Sequence, residues 1–368
     1  MNPYHIALTL TPGLGPKSIR QLMDFCPDAE ELFAMSRPQL TEIFGKHTGV
    51  IEAFLHKSMM PEAEKSIAEA EKYHIDILFF TDTAYPQRLN AAGCEDSPVL
   101  LYLLGQCDLN AERSIAMVGS RKATDYGRTT TARLVEEMAS DKPLIVSGLA
   151  YGIDTAAHTA ALAHGMSTVA VLGHGLDTIY PSQNRGLAKR IVEQGGALLT
   201  EYPLHAEIKA TNFPARNRII AALSDATVVV EAAERGGALI TANIASSYHR
   251  EVFAVPGRLD DSTSEGCNNL IANNKAIMIR NAGDLFFQMG WKNTFDKHRH
   301  KEQQQSLFAS LSPNEKLIVD LLEKNREMTM DEIDLQCELP LPKIASIMVE
   351  LELKNVIRCL PGRVYKLS

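Results

Sequence analysis

The stretch Met117-Val118-Gly119-Ser120-Arg121 places a glycine turn directly after a short apolar run that begins at Ser114. Small and β-branched residues in such a run predict a buried strand, and a helical pattern starts near Tyr126. A glycine turn between a parallel strand and a helix presents backbone N–H groups to an anion. Arg121 adds a fixed charge and a fork of donors that fits a phosphate. The stretch therefore predicts an α/β sheet with a phosphate site at its carboxyl edge.

Two common nucleotide fingerprints are absent from this loop. It contains neither the G-x-G-x-x-G of a dinucleotide site nor the G-x-x-x-x-G-K-[ST] of a P-loop. We therefore expect a phosphate site that takes no common cofactor, and we expect no bound cofactor at all.

The bulk composition limits the class of protein. A chain of 368 residues predicts two or three domains, and 45% hydrophobic with 22% charged residues is typical of a soluble globular protein. The net charge of −8 argues against binding polyanions through the whole surface. Any contact with nucleic acid must then come from a local basic patch.

Cysteine spacing and hydropathy indicate the compartment. The six cysteines are scattered without a C-x-x-C pair, so they predict reduced thiols rather than a disulfide frame or a zinc site. The N-terminus lacks a basic region followed by an apolar stretch, and no apolar run approaches the length that spans a bilayer. We predict a cytoplasmic protein with no metal site and no membrane contact.

Strand-like and helical runs alternate through the middle of the chain, which predicts a domain over residues 66–290. Near-continuous apolar strands between alanine-rich helices indicate a parallel sheet covered on both faces, extended and Rossmann-like. The predicted strands are Ser114–Val118, Leu144–Ser147, Thr168–Leu172, Ala197–Thr200, Thr227–Glu231, Val252–Val255 and Ala276–Ile279. Two earlier strand-like runs fall at 75–80 and 97–102.

The first 65 residues have a helical pattern and predict a separate N-terminal domain. The segment Pro12-Gly13-Leu14-Gly15-Pro16-Lys17 has the chemistry of a helix–hairpin–helix turn, with freed N–H groups and a lysine for a phosphate. An ordinary tight turn between two core helices is the alternative, and DNA binding by the hairpin stays open.

The end of the chain predicts a polar linker at 291–310 and a winged helix at 311–368. Ser312 and Thr329 each start a capping box, and Pro361-Gly362 divides a β-hairpin. Residues 296–368 contain eleven Lys/Arg and twelve Asp/Glu. The expected recognition helix carries Lys343 and Lys354 against Glu350 and Glu352, so a protein contact is at least as well supported as duplex DNA.

Candidate binding residues concentrate near the predicted ligand edge. The stretch Asn212 to Arg218 places Phe213 beside two arginines just before a helix, so the ring can stack on a base while Arg216 or Arg218 holds a phosphate. In the alternative interpretation, Phe213 belongs to the core and the arginines pair with Glu201 or Glu231. The candidate cations at this edge are Arg121, Lys122, Arg128, Arg185, Lys209, Arg216, Arg218 and Arg235.

Catalytic arrangements are less well supported. Asp154 and His158 lie four apart on one helix, but an aspartate at a helix start is usually a cap. His174 between two glycines has no second histidine at ligand spacing, and nothing local fixes a distance between Asp177 and Glu231. We predict no catalytic residue.

Taken together, these segments resemble the DprA/Smf family, the DNA-processing proteins of bacterial natural transformation. The resemblance covers nearly the whole chain. The matching motifs, in order, are Tyr85-Pro86 with Leu89, Gly119-Ser120-Arg121 with Tyr126-Gly127, Ser147-Gly148-Leu149-Ala150-Tyr151-Gly152-Ile153-Asp154, Gly175-Leu176-Asp177 with Tyr180-Pro181, Phe213-Pro214 with Arg216-Asn217-Arg218-Ile219-Ile220-Ala221, Gly236-Gly237-Ala238-Leu239-Ile240-Thr241-Ala242, Val255-Pro256-Gly257 and Glu265-Gly266-Cys267-Asn268-Asn269-Leu270-Ile271.

The resemblance implies a Rossmann-like core that binds single-stranded DNA and catalyses no known reaction. It implies an N-terminal SAM-like or helix–hairpin–helix-like domain, a C-terminal winged helix and a homodimer to which Glu265–Ile279 contributes. It also implies that the protein protects the strand and delivers it to the RecA recombinase, displacing single-strand-binding protein.

The resemblance also assigns site residues. Arg121 would grip a phosphate, with backbone donors from Gly119 and Ser120. The same groove would be lined by Phe213, Arg216, Asn217 and Arg218. Lys209 is a further candidate whose spacing to Phe213 no motif anchors. Ser182 stands where the family usually has a basic residue, so charge there must come from Arg185.

Two other functions remain open at this stage. One is a nucleotide-processing hydrolase on a lysine-decarboxylase-like sheet, whose glycine-rich loop the segment Glu234–Thr241 matches only in part. The other is a duplex-DNA regulator that acts through residues 312–368.

Overall fold

A computed structural model describes residues 2–91, 93–291, 311–325, 327–337, 339–354, 356–360 and 364–367. The chain divides into two compact units, residues 1–292 and 293–368. The predicted linker at 291–310 lies, apart from Trp291, outside the described residues.

The larger unit is built on one sheet, whose described strands follow the order β1-β2-β6-β5-β4-β3-β7-β8-β9. Strands β3 to β9 are parallel to their neighbours, whereas β1 and β2 join antiparallel beside β6. The strands are β1 Asp76–Phe79, β2 Leu100–Gly105, β3 Ser114–Val118, β4 Leu144–Ser147, β5 Thr168–Val171, β6 Ala197–Thr200, β7 Ala226–Val229, β8 Glu251–Ala254 and β9 Ile277–Met278. The predicted extended Rossmann-like α/β fold is confirmed.

Helices cover both faces of the sheet because the strands are apolar on both sides. Along β3, Ile115 and Met117 point into one buried cluster, and Ala116 and Val118 point into the other. The helices of this region are α7 Asp125–Glu137, α8 Ile153–Ala163, α9 Arg185–Glu193, α10 Asn212–Leu223, α11 Gly237–Ser247, α12 Glu265–Ala272 and α13 Ala282–Gln288. The strand order reverses between β3 and β7, and such a reversal opens a crevice at the carboxyl ends of the strands.

The N-terminal helices belong to the same compact unit as the sheet. Ile6 and Leu8 share a hydrophobic core with Phe79 and Tyr102 of the first two strands. These helices are α1 Pro3–Leu10, α2 Pro16–Phe25, α3 Ala29–Ala34, α4 Arg37–Phe44, α5 Thr48–Leu55 and α6 Met60–Lys72. The expected boundary at 65/66 falls inside α6, so the packing does not separate these helices from the sheet at that point.

The predicted hairpin turn lies between α1 and α2. Gly13 has a φ of +89°, which favours glycine, and α2 begins at Pro16. The ammonium of Lys17 lies 2.6 Å from the carboxylate of Glu95. This lysine is therefore engaged within the chain rather than held free for a phosphate.

The smaller unit has the elements of a winged helix. Both predicted capping boxes form, at Ser312 with Glu315 and at Thr329 with Glu332. A short third strand, not predicted from the sequence, joins the hairpin in the order β10-β12-β11. The elements are α14 Pro313–Asn325, β10 Glu327–Thr329, α15 Met330–Gln336, α16 Leu341–Leu353, β11 Ile357–Leu360 and β12 Val364–Leu367.

Candidate nucleic-acid interface

A crevice of about 400 Å³ opens where the strand order reverses. The loops that follow β3, β4 and β7 line it, together with the middle of α10 and the first turns of α11. Five of the predicted site residues meet there, namely Gly119, Ser120 and Arg121 on one side and Arg216 and Asn217 on the other.

The glycine turn after β3 is shaped mainly by contacts within the fold. A Cβ at Gly119 would lie 2.4 Å from Cγ1 of Ile153, so only glycine fits. The N–H of Ser120 donates to the carbonyl oxygen of Glu231 at 2.7 Å, and its hydroxyl accepts from the N–H of Lys122 at 3.1 Å. The Ser120 amide is therefore engaged within the fold in this structure, and its assignment to a phosphate stays a prediction.

Arg121 and Phe213 form a cation–aromatic pair at the mouth of the crevice. The guanidinium carbon of Arg121 lies 5.9 Å from the Phe213 ring centroid. Phe213 is half-buried, and its ring centroid is 5.5 Å from that of the half-exposed Tyr180. Phe213 therefore packs on the fold and still presents an aromatic surface beside an exposed cation.

Three exposed cations surround the crevice without a carboxylate partner among the described residues. They are Arg121, Lys122 and Arg235. Gly236 and Gly237, at the N-terminus of α11, leave open space where a Cβ would stand, except for the Asn217 amide at 3.9 Å. Backbone donors and positive charge thus converge on an open volume, which suits an anion.

Arg216 forms the floor of the crevice and is only 4% exposed. Its Nη1 donates to the carbonyl oxygens of Gly148, at 2.7 Å, and Val171. Burial lowers the pKa of Arg216 to about 10, and the nearby carboxylate of Asp154 opposes that shift. Arg216 therefore joins the ends of β4 and β5 from below, whereas the exposed cations form the rim.

Three of the predicted residues do not line the crevice: Phe213, which lies beside it against Arg121, and Lys209 and Arg218. Arg218 pairs with Glu201, as the alternative interpretation held, because positions two apart on a helix point in different directions and Arg216 already occupies the crevice side. Lys209 is exposed and lies 3.2 Å from the carboxylate of Glu207, and it does not line the crevice. Arg218 is thus engaged with Glu201 and does not line this crevice, and its assignment to the strand-binding groove stays a prediction.

The acidic groups at this edge are used inside the fold. Asp154 accepts from the N–H groups of Gly148 and Ala150 at 3.2 and 3.3 Å, which supports its interpretation as a local cap. Burial raises the pKa of Asp154. The Glu231 carboxylate accepts from Thr124.

The histidines are held in the same way. Burial lowers the pKa of His158 to about 3, and its Nδ1 lies 2.7 Å from the Thr168 hydroxyl. His174 accepts from the Tyr180 N–H through Nε2, at 3.3 Å, and its Nδ1 lies 2.9 Å from the Gly175 carbonyl oxygen. The described part of the chain contains no cluster of His, Cys, Asp or Glu that could hold a metal ion.

Lys122 and Arg235 are candidate cations in the sequence that the family resemblance does not assign to the site. Two signals in the sequence could have selected them. Lys122 follows the glycine turn directly, and Arg235 stands before a Gly-Gly pair that starts a helix after a buried strand.

The fold and the crevice define a Rossmann-like α/β protein with a basic edge and an appended winged helix. The family model for DNA recombination-mediator protein A matches residues 76–290, and the model for the DprA winged helix domain matches residues 302–363. The chain belongs to the DprA/Smf family of DNA-processing proteins.

Individual relatives agree with this assignment. Protein Smf of Escherichia coli is 35% identical over 304 residues, which cover 81% of this chain and 79% of the relative. The X-ray structure of DNA processing protein A from Streptococcus pneumoniae matches with a TM-score of 0.65 and 32% identity, covering 78% of this chain and 97% of that one.

A second solved structure bears on function. It is a structure of DNA processing protein A from Helicobacter pylori that concerns the single-stranded DNA binding mode of that protein. It matches with a TM-score of 0.52 and 30% identity, covering 58% of this chain and 95% of that chain. Separately, no helix among the described residues has the length and apolar character needed to cross a bilayer.

Proposed function

We propose that this chain binds single-stranded DNA in the crevice between β3 and β7. The observation that carries the proposal is the set of three rim cations, Arg121, Lys122 and Arg235, which have no carboxylate partner in the described part of the chain and surround an open volume beside Phe213. Cations on the rim suit successive phosphates of one strand, and an exposed aromatic face suits an unstacked base. The single-stranded DNA binding mode of the Helicobacter pylori protein supports the same ligand.

Within this proposal the site residues have different tasks. Arg121, Lys122 and Arg235 hold phosphates, and Phe213 stacks on a base. Arg216 and Asn217 shape the floor, since both are buried and hydrogen-bonded to loops of the crevice. Gly119 permits the tight turn that aims Arg121. Lys209 stays a candidate for a phosphate farther along the strand.

We further propose that the bound strand is protected and passed to the RecA recombinase, with single-strand-binding protein displaced. The description of the family as a recombination mediator supports this proposal. A sequence-independent clamp of phosphates and stacked bases suits that task, because a mediator must accept any strand. The location proposed for this activity is the cytoplasm, and the six unpaired thiols of the chain fit a reducing compartment.

A homodimer through Glu265–Ile279 is part of the proposal. In the described sheet β9 has β8 as its neighbour and is the last strand in the order, so its other edge is open for pairing. Met278 on this strand is 47% exposed. A second copy covering this edge would bring two crevices into one assembly.

A passive clamp without catalysis is the mechanism that we propose. Asp154, Glu231 and His174, which follow strands at this end of the sheet, each hydrogen-bond to protein groups, which supports a role in holding the loops. Glu234, the first residue of the segment that partly matches the hydrolase loop, does not line the crevice.

Fluorescence anisotropy of labelled oligonucleotides tests the proposal. Single strand and duplex are compared at two salt concentrations, with the parent, Arg121→Glu and the exposed control Arg190→Glu on α9. We expect salt-sensitive preference for single strand that Arg121→Glu abolishes and the control retains. Equal affinity in Arg121→Glu and parent would overturn the site, and release of free base from a nucleoside monophosphate would restore the hydrolase.

A further inference from the structure

We propose that the exposed face of helix α16 in the winged helix is a self-association surface that pairs antiparallel with α16 of a second copy. This contact is separate from the proposed crevice and from the proposed pairing at β9. It rests on the order of side chains along α16, Leu341–Leu353, on their exposure and on their charge.

The solvent side of α16 carries apolar groups where a DNA-reading helix carries polar ones. Val349 is 56% exposed and Leu353 is 79% exposed. With Pro342 and Ser346, which are also exposed, they recur at intervals of three and four and form one stripe. Large apolar side chains that are this exposed to solvent on a small domain indicate a contact surface rather than part of the core.

The charges around the stripe are unfavourable for a nucleic acid. Glu350 and Glu352 are exposed on α16, and Asp331 and Asp334 are exposed on the preceding helix α15. Lys354 lies 2.6 Å from the buried carboxylate of Glu315, so its charge is already partnered. A duplex backbone needs several free cations at the inserted helix, and this face presents mainly carboxylates.

The stripe is complementary to itself under a twofold axis. When two copies of α16 run antiparallel about a point between Ser346 and Val349, Ser346 lies opposite Val349 of the second copy. Pro342 then lies opposite Leu353 of that copy. In this register a small side chain, Ser346, faces a larger one, Val349.

Charge complementarity selects the same arrangement. Lys343 and Glu350 are seven residues apart, about two helical turns, and so share one flank of the stripe. A twofold axis maps this flank onto itself in reverse, which places Lys343 about two residues, or about 3 Å along the helix, from the level of Glu350 of the second copy, twice per contact and within the reach of a lysine side chain. Neither Lys343 nor Glu350 has an ion-pair partner within the described residues. In a parallel pair, equivalent residues of the two copies would lie at the same level, so Lys343 would be level with Lys343 and Glu350 with Glu350.

Disulfide trapping in the full chain tests the proposal. Val349→Cys is made in a Cys359→Ser background, which removes the exposed native thiol. The matched control is Leu335→Cys, which is 86% exposed in the same domain and stands on a different helix, α15. Dimerisation through another surface would raise the local concentration of both cysteine probes, so it cannot by itself favour one of them. If the stripe is the contact, we expect covalent dimer to form about tenfold faster with Val349→Cys than with Leu335→Cys.

Charge reversal identifies the partner. Lys343→Glu should slow trapping about fivefold, and Lys343→Glu with Glu350→Lys should restore it, because only a self-paired helix carries both changes across one contact. Equal trapping of the two cysteine probes would overturn the proposal. Failure of the double reversal to restore trapping, or protection of the cysteine by duplex DNA, would assign the face to another macromolecule and also overturn it.

Discussion

The guanidinium of Arg216 fills the space that a side chain at Gly148 would need. Nη1 of Arg216 donates to the carbonyl oxygen of Gly148 at 2.7 Å, and a Cβ at position 148 would lie 2.3 Å from the same nitrogen. The glycine of the β4–α8 loop is therefore required by a buried guanidinium and not by an approaching ligand. This pair ties the loop after β4 to α10, the helix that carries Phe213.

The first prediction concerns this pair. Gly148→Ala should displace Arg216 and leave buried carbonyl oxygens unpaired, which lowers the free energy of unfolding by about 1–3 kcal/mol. Urea unfolding measures the change. Gly186→Ala is the control, since a Cβ there meets open space on α9, and it should leave the free energy unchanged or slightly higher. A Gly148→Ala protein as stable as the parent would show that the guanidinium can relocate freely.

The second prediction separates the rim cations from other surface charges. Arg121→Ala, Lys122→Ala and Arg235→Ala should each weaken single-strand binding. Each should also lower the slope of log affinity against log salt by about 0.7, as expected for one lost phosphate contact. Anisotropy titrations over a salt series measure the slope. Arg190→Ala serves as the control, because Arg190 is exposed on α9 and does not line the crevice. A slope change in Arg190→Ala equal to that of Arg121→Ala would show that surface charge in general, and not the crevice, sets the slope.

The central strands could be predicted from the sequence because their burial is two-sided. Between β3 and β8 every strand is bordered by neighbours and covered by helices, so an uninterrupted apolar run marks its position. The pairing of β2 with β6 could not be predicted in this way. Residues 102 and 200 are brought together by tertiary packing alone, and neither run contains information about its partner.

The candidate site was predictable as an edge, but not residue by residue. The spacing of Arg216 and Arg218 already implied different directions on a helix, and only one of them lines the crevice. Local sequence patterns could not predict why glycine is required at Gly119 and Gly148. At both positions a Cβ would clash with a side chain that is distant in the sequence. Gly236, in contrast, has open space where a Cβ would stand, which suits the close approach of a ligand.

The third prediction concerns Phe213. Phe213→Ala should lower affinity for single strand by the loss of one stacking contact, about 1–3 kcal/mol, and leave the salt slope nearly unchanged. Phe213→Trp should retain most of the affinity because it preserves an aromatic face beside Arg121. Binding is measured with the same labelled oligonucleotides at one salt concentration. If Phe213→Ala bound as tightly as the parent while remaining folded, the ring would be a packing group only.

The fourth prediction follows from the arginine that lies outside the crevice. Arg218→Ala should lower the free energy of unfolding by about 1–3 kcal/mol, because it leaves the largely buried Glu201 carboxylate unpaired. Burial already raises the pKa of Glu201, with Arg218 opposing the shift, so removal of the arginine should raise that pKa further. Single-strand affinity and its salt slope should stay at the parent values. A lower slope in Arg218→Ala would return this residue to the strand path.

The fifth prediction concerns the stability of the winged helix as a function of pH. The ammonium of Lys354 and the N–H of Ser312 both bond the Glu315 carboxylate, which lowers its pKa from 4.5 to about 2. A carboxyl group whose folded pKa is lowered contributes stability above its unfolded pKa and loses that contribution as the pH falls through the folded value. Protection of α14 and α16 amides should therefore decline between about pH 5 and pH 2.

Hydrogen exchange of the full chain, compared with Glu315→Gln, isolates this contribution. At pH 7 the variant should be less protected in α14 and α16 by about 2 kcal/mol, the scale of a charge-assisted hydrogen bond. The difference between variant and parent should shrink towards pH 2, because protonation of Glu315 makes the parent resemble the variant. Glu327→Gln is a matched control, since its carboxylate pairs with Lys366 at 3.3 Å on an exposed strand and should add little. If the difference in amide protection between Glu315→Gln and the parent stayed constant from pH 7 to pH 2, the packing of the side chain, and not the charge of Glu315, would stabilise the first turn of α14.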